Sequence, residues 1–189
     1  MKVVAICGSP RLEGNSNYLA DQALEVLKSQ GIETEKFNLN QCKMTPCQGH
    51  PDCPTLKKCR LQDDIPGIIE KMMKADGLII ASPVYFFSIC AQIKILLDRT
   101  YFLFTHSQHF KAGCYGLIAV QGSEGAERAF QEMQHFAGFP GQTPQKFFKL
   151  KASAGGPDKH VKDNPEIVQK ARDLGRHMAD FLLTADSKG

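Results

Sequence analysis

Residues 2–16 read KVVAICGSPRLEGNS, and this order of an apolar run, a small polar loop and a helical pattern predicts a strand, a turn and a helix start. Backbone N–H groups at a helix start have no intrahelical acceptor and lie at the positive end of the helix dipole, so a phosphate placed there gains hydrogen bonds and a favourable field. Gly8 and Gly14 allow the backbone to approach such a ligand closely. Short donors and one positive charge follow at Ser9, Asn15, Ser16 and Arg11. The loop therefore predicts a phosphorylated ligand.

The kind of phosphate is narrowed by what this loop lacks. A nucleotide-hydrolysing loop ends in Gly-Lys-Ser/Thr, whereas residues 14–16 read Gly-Asn-Ser. A dinucleotide-binding loop carries Gly-x-Gly-x-x-Gly and an acidic residue after the second strand. Here residues 8–10 read Gly-Ser-Pro and residues 37–40 read Phe-Asn-Leu-Asn. A loop with neither the triphosphate lysine nor the ribose acid suits a terminal monophosphate, such as that of FMN.

Length and composition narrow the class of protein. The 189 residues predict a single domain over 1–189, and the net charge of +3 comes without a dense Lys/Arg run. We therefore expect no nucleic acid and no membrane as partner, but a small molecule. The apolar run after Lys2 is shorter than the roughly 7–15 residues of a signal-peptide core, which predicts a cytoplasmic protein.

Strand and helix patterns alternate along the chain. The predicted strands cover 2–7, 32–38, 77–82, 114–121 and 146–151, and the predicted helices cover 16–30, 63–75, 88–103, 124–136 and 165–184. Such alternation favours a parallel sheet with helices on both faces and right-handed connections. We predict an α/β three-layer sandwich with a flavodoxin-like five-stranded parallel sheet of order 2-1-3-4-5. Residues 155–157, Gly-Gly-Pro, predict a mobile loop.

In this strand order, the loops after the first and third strands meet at the point where open α/β sheets bind ligands. Residues 82–88 after the third strand read Ser-Pro-Val-Tyr-Phe-Phe-Ser. Pro83 stiffens the turn, while Tyr85 and Phe86 offer aromatic surface to a flat ring. The alternative is that Tyr85, Phe86 and Phe87 only fill the core or flank a helix.

These paired motifs resemble those of the NADPH-dependent FMN reductase family. The resemblance is carried by Gly-Ser-Pro-Arg-x-x-Gly-Asn-Ser at 8–16, Ser-Pro-Val-Tyr-Phe at 82–86 and Lys94-x3-Asp98-Arg99, and it covers about 8–135. The cysteine-bearing insert before Asp63 and Asp64 is similar to the iron-sulfur flavoprotein branch. The resemblance implies noncovalent FMN, reduced by NADPH, NADH or another donor, and a homodimer or a tetramer built from dimers.

The resemblance also implies roles for individual residues. The phosphate of FMN would be held by Ser9, Arg11, Asn15 and Ser16. The isoalloxazine ring would be lined by Pro83, Val84, Tyr85 and Phe86. The loop at 121–125, with Gly122 and Ser123, would close over the other side of the ring. Hydride transfer between stacked rings requires orientation rather than a general base, so we assign no catalytic side chain.

A cysteine-rich insert occupies about residues 40–62. Its thiols are Cys42, Cys47, Cys53 and Cys59, at spacings that differ from the compact two-residue gaps of the iron-sulfur flavoproteins. Three interpretations stay open: an iron-sulfur cluster or zinc site, redox-active thiols or a disulfide, and an insert that binds nothing. Cys7, Cys90 and Cys114 lie in apolar or small-residue surroundings and are expected to be buried.

The leading function is thus an FMN-dependent oxidoreductase with a small-molecule or protein acceptor. The alternatives are a flavodoxin-like electron carrier and a metal- or redox-sensing protein that uses the cysteine insert. Residues 101–104, Tyr-Phe-Leu-Phe, are either a subunit contact or a helix end packed in the core, and the family resemblance favours the contact.

Overall fold

Five parallel strands form the main sheet of the computed structural model, which describes residues 1–137, 146–154 and 159–186. They are β1 (Lys2–Cys7), β2 (Glu33–Asn38), β3 (Gly77–Tyr85), β5 (Cys114–Gln121) and β6 (Lys146–Ser153), with the two-residue β4 (Ser88–Ile89) between β3 and β5 along the chain. The order β2-β1-β3-β5-β6 confirms the predicted order 2-1-3-4-5. The predicted mobile loop at 155–157 lies outside the described residues.

Helices cover both faces of this sheet. They are α1 (Asn15–Ser29), α2 (Ile65–Lys74), α3 (Ala91–Arg99), α4 (Tyr101–Thr105), α5 (Ala126–Ala137) and α6 (Pro165–Asp186). On one face, Leu19 of α1 and Met178 of α6 are fully buried in one apolar cluster. On the other face, Met72 of α2 and Ile93 of α3 are fully buried in a second cluster. The three-layer arrangement is therefore confirmed. None of the helices in the described residues is both long enough and apolar enough to cross a membrane.

The chain between β3 and β5 differs from its prediction. The predicted helix over 88–103 is replaced by β4, α3 and α4. Ser88 and Ile89 pair antiparallel with the end of β3, which extends to Tyr85 rather than ending at residue 82. The helical pattern is interrupted again at Thr100, whose carbonyl accepts a hydrogen bond from Leu103 N at 2.8 Å in a tight turn. These changes add a sixth, antiparallel strand to the predicted five.

Close contact between α1 and α6 depends on Gly175. A Cβ atom at this position would lie 2.4 Å from Ala23 O and 3.0 Å from Ala23 Cα, both backbone atoms of α1. Substituting Gly175→Ala is therefore expected to lower the free energy of unfolding by about 1–3 kcal/mol, through overpacking. Urea unfolding of the variant measures this loss.

Gly67→Ala in α2 is the matched control. A Cβ atom at Gly67 meets nothing within 4 Å, so the higher helix propensity of alanine should raise stability by about 0.5–1 kcal/mol. Equal stabilisation by both substitutions would contradict the close packing of α1 against α6.

Candidate functional site

A cavity of about 450 Å³ opens at the carboxyl ends of β1, β3, β5 and β6. Its lining includes most of the residues predicted to bind the cofactor, namely Ser9, Arg11, Asn15, Ser16, Pro83, Val84, Tyr85 and Gly122. Three other residues line it as well: Val120, Gln121 and Ala154. Ala154 was missed by the sequence motifs, although its place directly after the last strand puts it at the ligand-binding edge of the sheet.

Ser16 lies in the first turn of α1 and is 2% exposed. Its Oγ atom is buried and has no hydrogen-bond partner among the described residues. A buried hydroxyl without a hydrogen-bond partner lowers the stability of the folded protein by about 1–3 kcal/mol. We therefore expect a bound ligand to supply the missing partner. The first backbone N–H groups of α1 have no intrahelical acceptor and lie at the same helix end. Together these donors fit an anion such as a phosphate.

Ser9 shapes the loop that precedes this helix. Its Oγ donates to Arg11 O at 2.9 Å and accepts from Arg11 N at 3.2 Å, so the hydroxyl is engaged within the loop. Gly14 packs against it, because a Cβ atom there would lie 2.2 Å from Ser9 Oγ. Asn17, which the sequence analysis did not single out, donates to the carbonyls of Arg11 and Leu12 at 3.1 and 3.0 Å. These contacts fix the shape of the loop and helix start at residues 8–17, which we call the anion cradle.

Asn15 lines the cavity, but its side chain already has partners. Its Nδ2 donates to Lys159 O at 3.0 Å, and its Oδ1 accepts from Val161 N at 3.1 Å. The side-chain amide of Asn15 therefore joins residues 159–161 to the start of α1. The backbone N–H of Asn15, at the start of α1, is the group that it offers to an anion. Arg11 supplies an exposed positive charge to the same cavity.

A second side of the cavity is formed by the end of β3. Pro83, Val84 and Tyr85 line it as the motif predicted. Phe86 is not among the residues that line this cavity, and its predicted contact with the ring stays a prediction. It lies at the tip of the β3–β4 hairpin and is 96% exposed. Because Tyr85 and Phe87 are also exposed, these aromatic residues do not fill the core, and of the stated alternative only the helix-flanking part stays open.

The loop after β5 packs against this hairpin. A Cβ atom at Gly125, where φ is +106°, would lie 2.7 Å from the Cα atom of Phe87. Gln121 stabilises the loop from within, because its Oε1 accepts from Ala126 N at 2.9 Å and its Nε2 donates to Ser123 O at 2.9 Å. Gly122 lines the cavity, whereas Ser123 does not, so the predicted role of Ser123 stays a prediction.

The cysteine insert is held by a buried ion pair that the sequence analysis did not identify. The side chains of Arg99 and Asp63 are 2% and 0% exposed, and Arg99 Nη1 lies 2.7 Å from Asp63 Oδ2. Arg99 also donates to Thr45 O at 2.8 Å and to Cys59 Sγ at 3.4 Å. Arg99 therefore joins both ends of the insert to α3. By contrast, Lys94 and Asp98 of the family motif form an exposed ion pair on the same helix.

Burial alone raises the pKa of the Asp63 carboxyl. Hydrogen bonds from the Arg99 guanidinium and from the N–H groups of Thr45 and Ile65 outweigh that effect and lower its pKa below the ordinary 3.8. Asp63 is therefore ionised in the folded protein at neutral pH, opposite the charge of Arg99.

The other thiols of the insert have separate surroundings. Cys42 Sγ lies 3.5 Å from Asn38 O, Cys53 Sγ lies 3.9 Å from Thr105 Oγ1, and Cys47 is exposed. All four cysteines of the insert are free thiols. Within the described residues, no group of three or more Cys, His, Asp or Glu side chains is arranged to hold a metal ion. The described residues thus contain no assembled metal site, and the iron-sulfur or zinc interpretation stays a prediction.

The remaining cysteines are buried in the core, as expected. Burial raises the pKa of both Cys7 and Cys114 to about 12. Cys90 Sγ donates to Gly8 O at 3.1 Å, beneath the anion cradle. Since the thiolate is the reactive form, Cys7 and Cys114 act as small apolar side chains.

Sequence and structure comparisons both relate this chain to flavin-binding proteins. The family model for NADPH-dependent FMN reductase matches residues 1–154. An iron-sulfur flavoprotein of Methanocaldococcus jannaschii is 42% identical over 139 residues, which cover 72% of this chain and 71% of that protein. The iron-sulfur flavoprotein of Methanosarcina thermophila is 30% identical over 190 residues, covering 92% of this chain and all of that protein (100%). The fold is shared with RosB bound to 8-demethyl-8-formylriboflavin-5′-phosphate, at a TM-score of 0.74 and 20% identity, over 97% of this chain and 81% of that one.

Proposed function

The chain belongs to the NADPH-dependent FMN reductase family, and on that premise we propose that it is an FMN-dependent oxidoreductase. In this proposal NADPH or NADH reduces the flavin, and a small-molecule acceptor reoxidises it. The observation that carries the proposal is the buried Ser16 hydroxyl, which has no partner among the described residues. Ser16 lies at the start of α1 and lines the same cavity as the end of β3.

The residues of the cavity divide into two groups by chemistry. The phosphate would be held by Ser16 Oγ, by the first N–H groups of α1 and by the charge of Arg11. Pro83, Val84 and Tyr85 would position the ring. The loop at Gly122 lies on the same cavity and would limit the access of water to the ring.

When bound, FMN supplies the capacity to accept a hydride and to pass on electrons. The protein's part is then to fix the ring so that a second planar molecule meets it face to face. Positioning of this kind requires no general base among the described residues of the cavity. A slightly basic chain, with net charge +3, also lacks the acidity of a carrier that docks on basic partners.

An anaerobic visible spectrum of the protein, supplied with FMN and then with NADPH or NADH, tests the proposal. Flavin bands that bleach with either nucleotide support a reductase. Bound flavin that neither nucleotide reduces would favour the electron carrier, and no flavin uptake would overturn the flavoprotein assignment. Iron and acid-labile sulfide, measured on the same sample, test the iron-sulfur prediction, which stays a prediction.

We further propose that the protein forms a homodimer, or a tetramer built from dimers, through α4. Tyr101 and Phe104 are 51% and 52% exposed, and their ring centroids lie 5.8 Å apart. They border an apolar cavity of about 450 Å³ that also contains Leu97 and Phe136. An exposed aromatic pair beside an apolar depression is typical of subunit contacts.

Tyr101→Lys is expected to shift the mass measured by light scattering towards the 20.9 kDa of one chain, because it places a charge in the contact. Leu183→Lys on α6 is the matched control, since Leu183 is similarly exposed at 44% and lies outside the patch. If both variants keep the wild-type mass, or if the wild type is a monomer, α4 is not the contact.

A further inference from the structure

Three successive carbonyl groups in the loop of the anion cradle are held by side-chain amides. Asn40 Nδ2 donates to Pro10 O at 2.7 Å. Asn17 Nδ2 donates to Arg11 O at 3.1 Å and to Leu12 O at 3.0 Å. Neither asparagine is among the described residues that line the cavity assigned to the flavin. Both therefore act on the shape of the loop rather than on a ligand directly.

Holding these carbonyls favours an anion in the cradle. A carbonyl oxygen carries a partial negative charge, so one that turned towards a phosphate would repel it. In a planar trans peptide the C=O and the N–H point in opposite directions, so a fixed carbonyl also fixes the N–H group of the next residue. Groups that are ordered before the ligand arrives lose no further conformational freedom when it binds. The two asparagines thus prepare the loop for a phosphate.

Asn17 is unfavourable for stability alone. It is 0% exposed, and its Oδ1 atom has no hydrogen-bond partner among the described residues. The orientation of the amide is fixed, because the carbonyls of Arg11 and Leu12 can only accept and must face its nitrogen. A buried acceptor without a partner destabilises the folded protein, whereas an apolar side chain of similar shape would not. Such a conflict with stability is expected at a functional site rather than in an ordinary core.

We propose that Asn17 and Asn40 are positioning residues for the phosphate of the flavin. Asn17, in the first turn of α1, fixes the backbone of Arg11, whose charged side chain lines the cavity. Asn40, in the short 3-10 helix at the start of the cysteine insert, fixes the residue before Arg11. This inference rests on the proposed function, because it requires that the cavity bind FMN. The start of the insert then contributes to flavin binding without lining the flavin cavity.

The first test compares FMN with riboflavin, which has the same ring and no phosphate. Asn17→Leu keeps the approximate shape of the side chain and removes its donors. We expect its FMN affinity to fall about 5- to 30-fold, the effect of leaving one loop residue unordered before binding. Asn40→Ala, at an exposed residue, should lower FMN affinity about 3- to 10-fold through one lost hydrogen bond. Riboflavin affinity should stay within about twofold in both variants, because riboflavin has no phosphate for the loop to hold.

Gln22→Met is the matched control. Gln22 is another buried amide of α1, but its partners are Arg172 and Glu25 rather than the loop. Its affinity for each flavin should stay within about twofold of the wild type. A loss of FMN affinity equal to that in Asn17→Leu would overturn the role of Asn17, since any buried amide of the helix would then have the same effect.

Hydrogen exchange of the flavin-free protein gives a readout that does not depend on binding. The backbone amides of residues 11–14 should exchange faster in Asn17→Leu and in Asn40→Ala than in the wild type, because the loop opens more often. Since Asn40 is exposed, Asn40→Ala should fold even if Asn17→Leu does not, and it then carries the test alone.

Three results would overturn the inference. The first is an unchanged ratio of FMN affinity to riboflavin affinity in the folded variants. The second is an equal loss of affinity for both flavins, since the asparagines would then only stabilise the fold. The third is unchanged hydrogen exchange in the loop. A wild type that binds neither flavin would instead refute the proposed function, and with it the phosphate that the asparagines position.

Discussion

Arg99→Ala is expected to lower the free energy of unfolding by about 3–5 kcal/mol. The substitution leaves the Asp63 carboxylate, whose side chain is 0% exposed, without its opposite charge. It also removes the donors to Thr45 O and Cys59 Sγ that join both ends of the cysteine insert to α3. Urea unfolding, monitored by circular dichroism, measures the loss.

Lys94→Ala on the same helix is the matched control. Lys94 also pairs with an aspartate, Asp98, but the two side chains are 59% and 49% exposed. Exposed pairs at this spacing contribute about 0.3–0.5 kcal/mol, so this variant should unfold close to the wild type. A loss below about 1 kcal/mol in Arg99→Ala would contradict a structural role for the buried pair.

The ion pair of Arg99 and Asp63 also determines how the free energy of unfolding changes as pH falls. Because the pKa of Asp63 is lower in the folded protein than its ordinary 3.8, the unfolded chain takes up a proton first as pH falls. The stabilisation from Asp63 is therefore fully present above pH 3.8 and is lost as pH falls through the folded pKa. Arg99→Ala should remove this component of the acid sensitivity.

Ser16→Ala is expected to weaken FMN binding about 10- to 100-fold. The Oγ atom of Ser16 is buried and without a partner among the described residues, so it is the side-chain donor best placed to meet the phosphate. A hydrogen bond to a charged group contributes about 1.5–3 kcal/mol, which corresponds to that range of affinity. Fluorescence titration of FMN with each protein gives the two dissociation constants.

Ser29→Ala is the matched control for this titration. It makes the same chemical change in the same helix, but Ser29 is exposed in the last turn of α1 and donates to Val26 O. Its FMN affinity should stay within about twofold of the wild type, given the small effect of surface substitutions. An equally small change in Ser16→Ala would remove the Ser16 hydroxyl from the phosphate site.

The anion cradle could be predicted from the sequence because it depends on neighbouring residues. A strand, a glycine-containing loop and a helix start follow each other within residues 2–16, and the local backbone alone brings the N–H groups together. The convergence of residues 83–85, at the end of β3, on this loop was predictable for a related reason: parallel strands end at the same edge of the sheet. Pro83, Val84 and Tyr85 consequently line one cavity with Ser9 and Ser16.

The remaining features depend on contacts that sequence spacing does not reveal. The direction of Phe86 is set by a two-residue turn that carries none of the usual turn residues. The ion pair of Arg99 and Asp63 joins residues 36 apart, and only the packing of the insert on α3 brings them together. Asn15 likewise has its side chain engaged by Lys159 and Val161, which are distant in sequence.

The central claim is that this cavity selects a flavin through its phosphate. The most direct test is to compare the dissociation constants of FMN and riboflavin with the wild-type protein, since riboflavin has the same ring and no phosphate. The cradle predicts that FMN binds at least about 100-fold more tightly, because the phosphate meets several charge-assisted hydrogen bonds. Equal affinity for the two flavins would contradict the account.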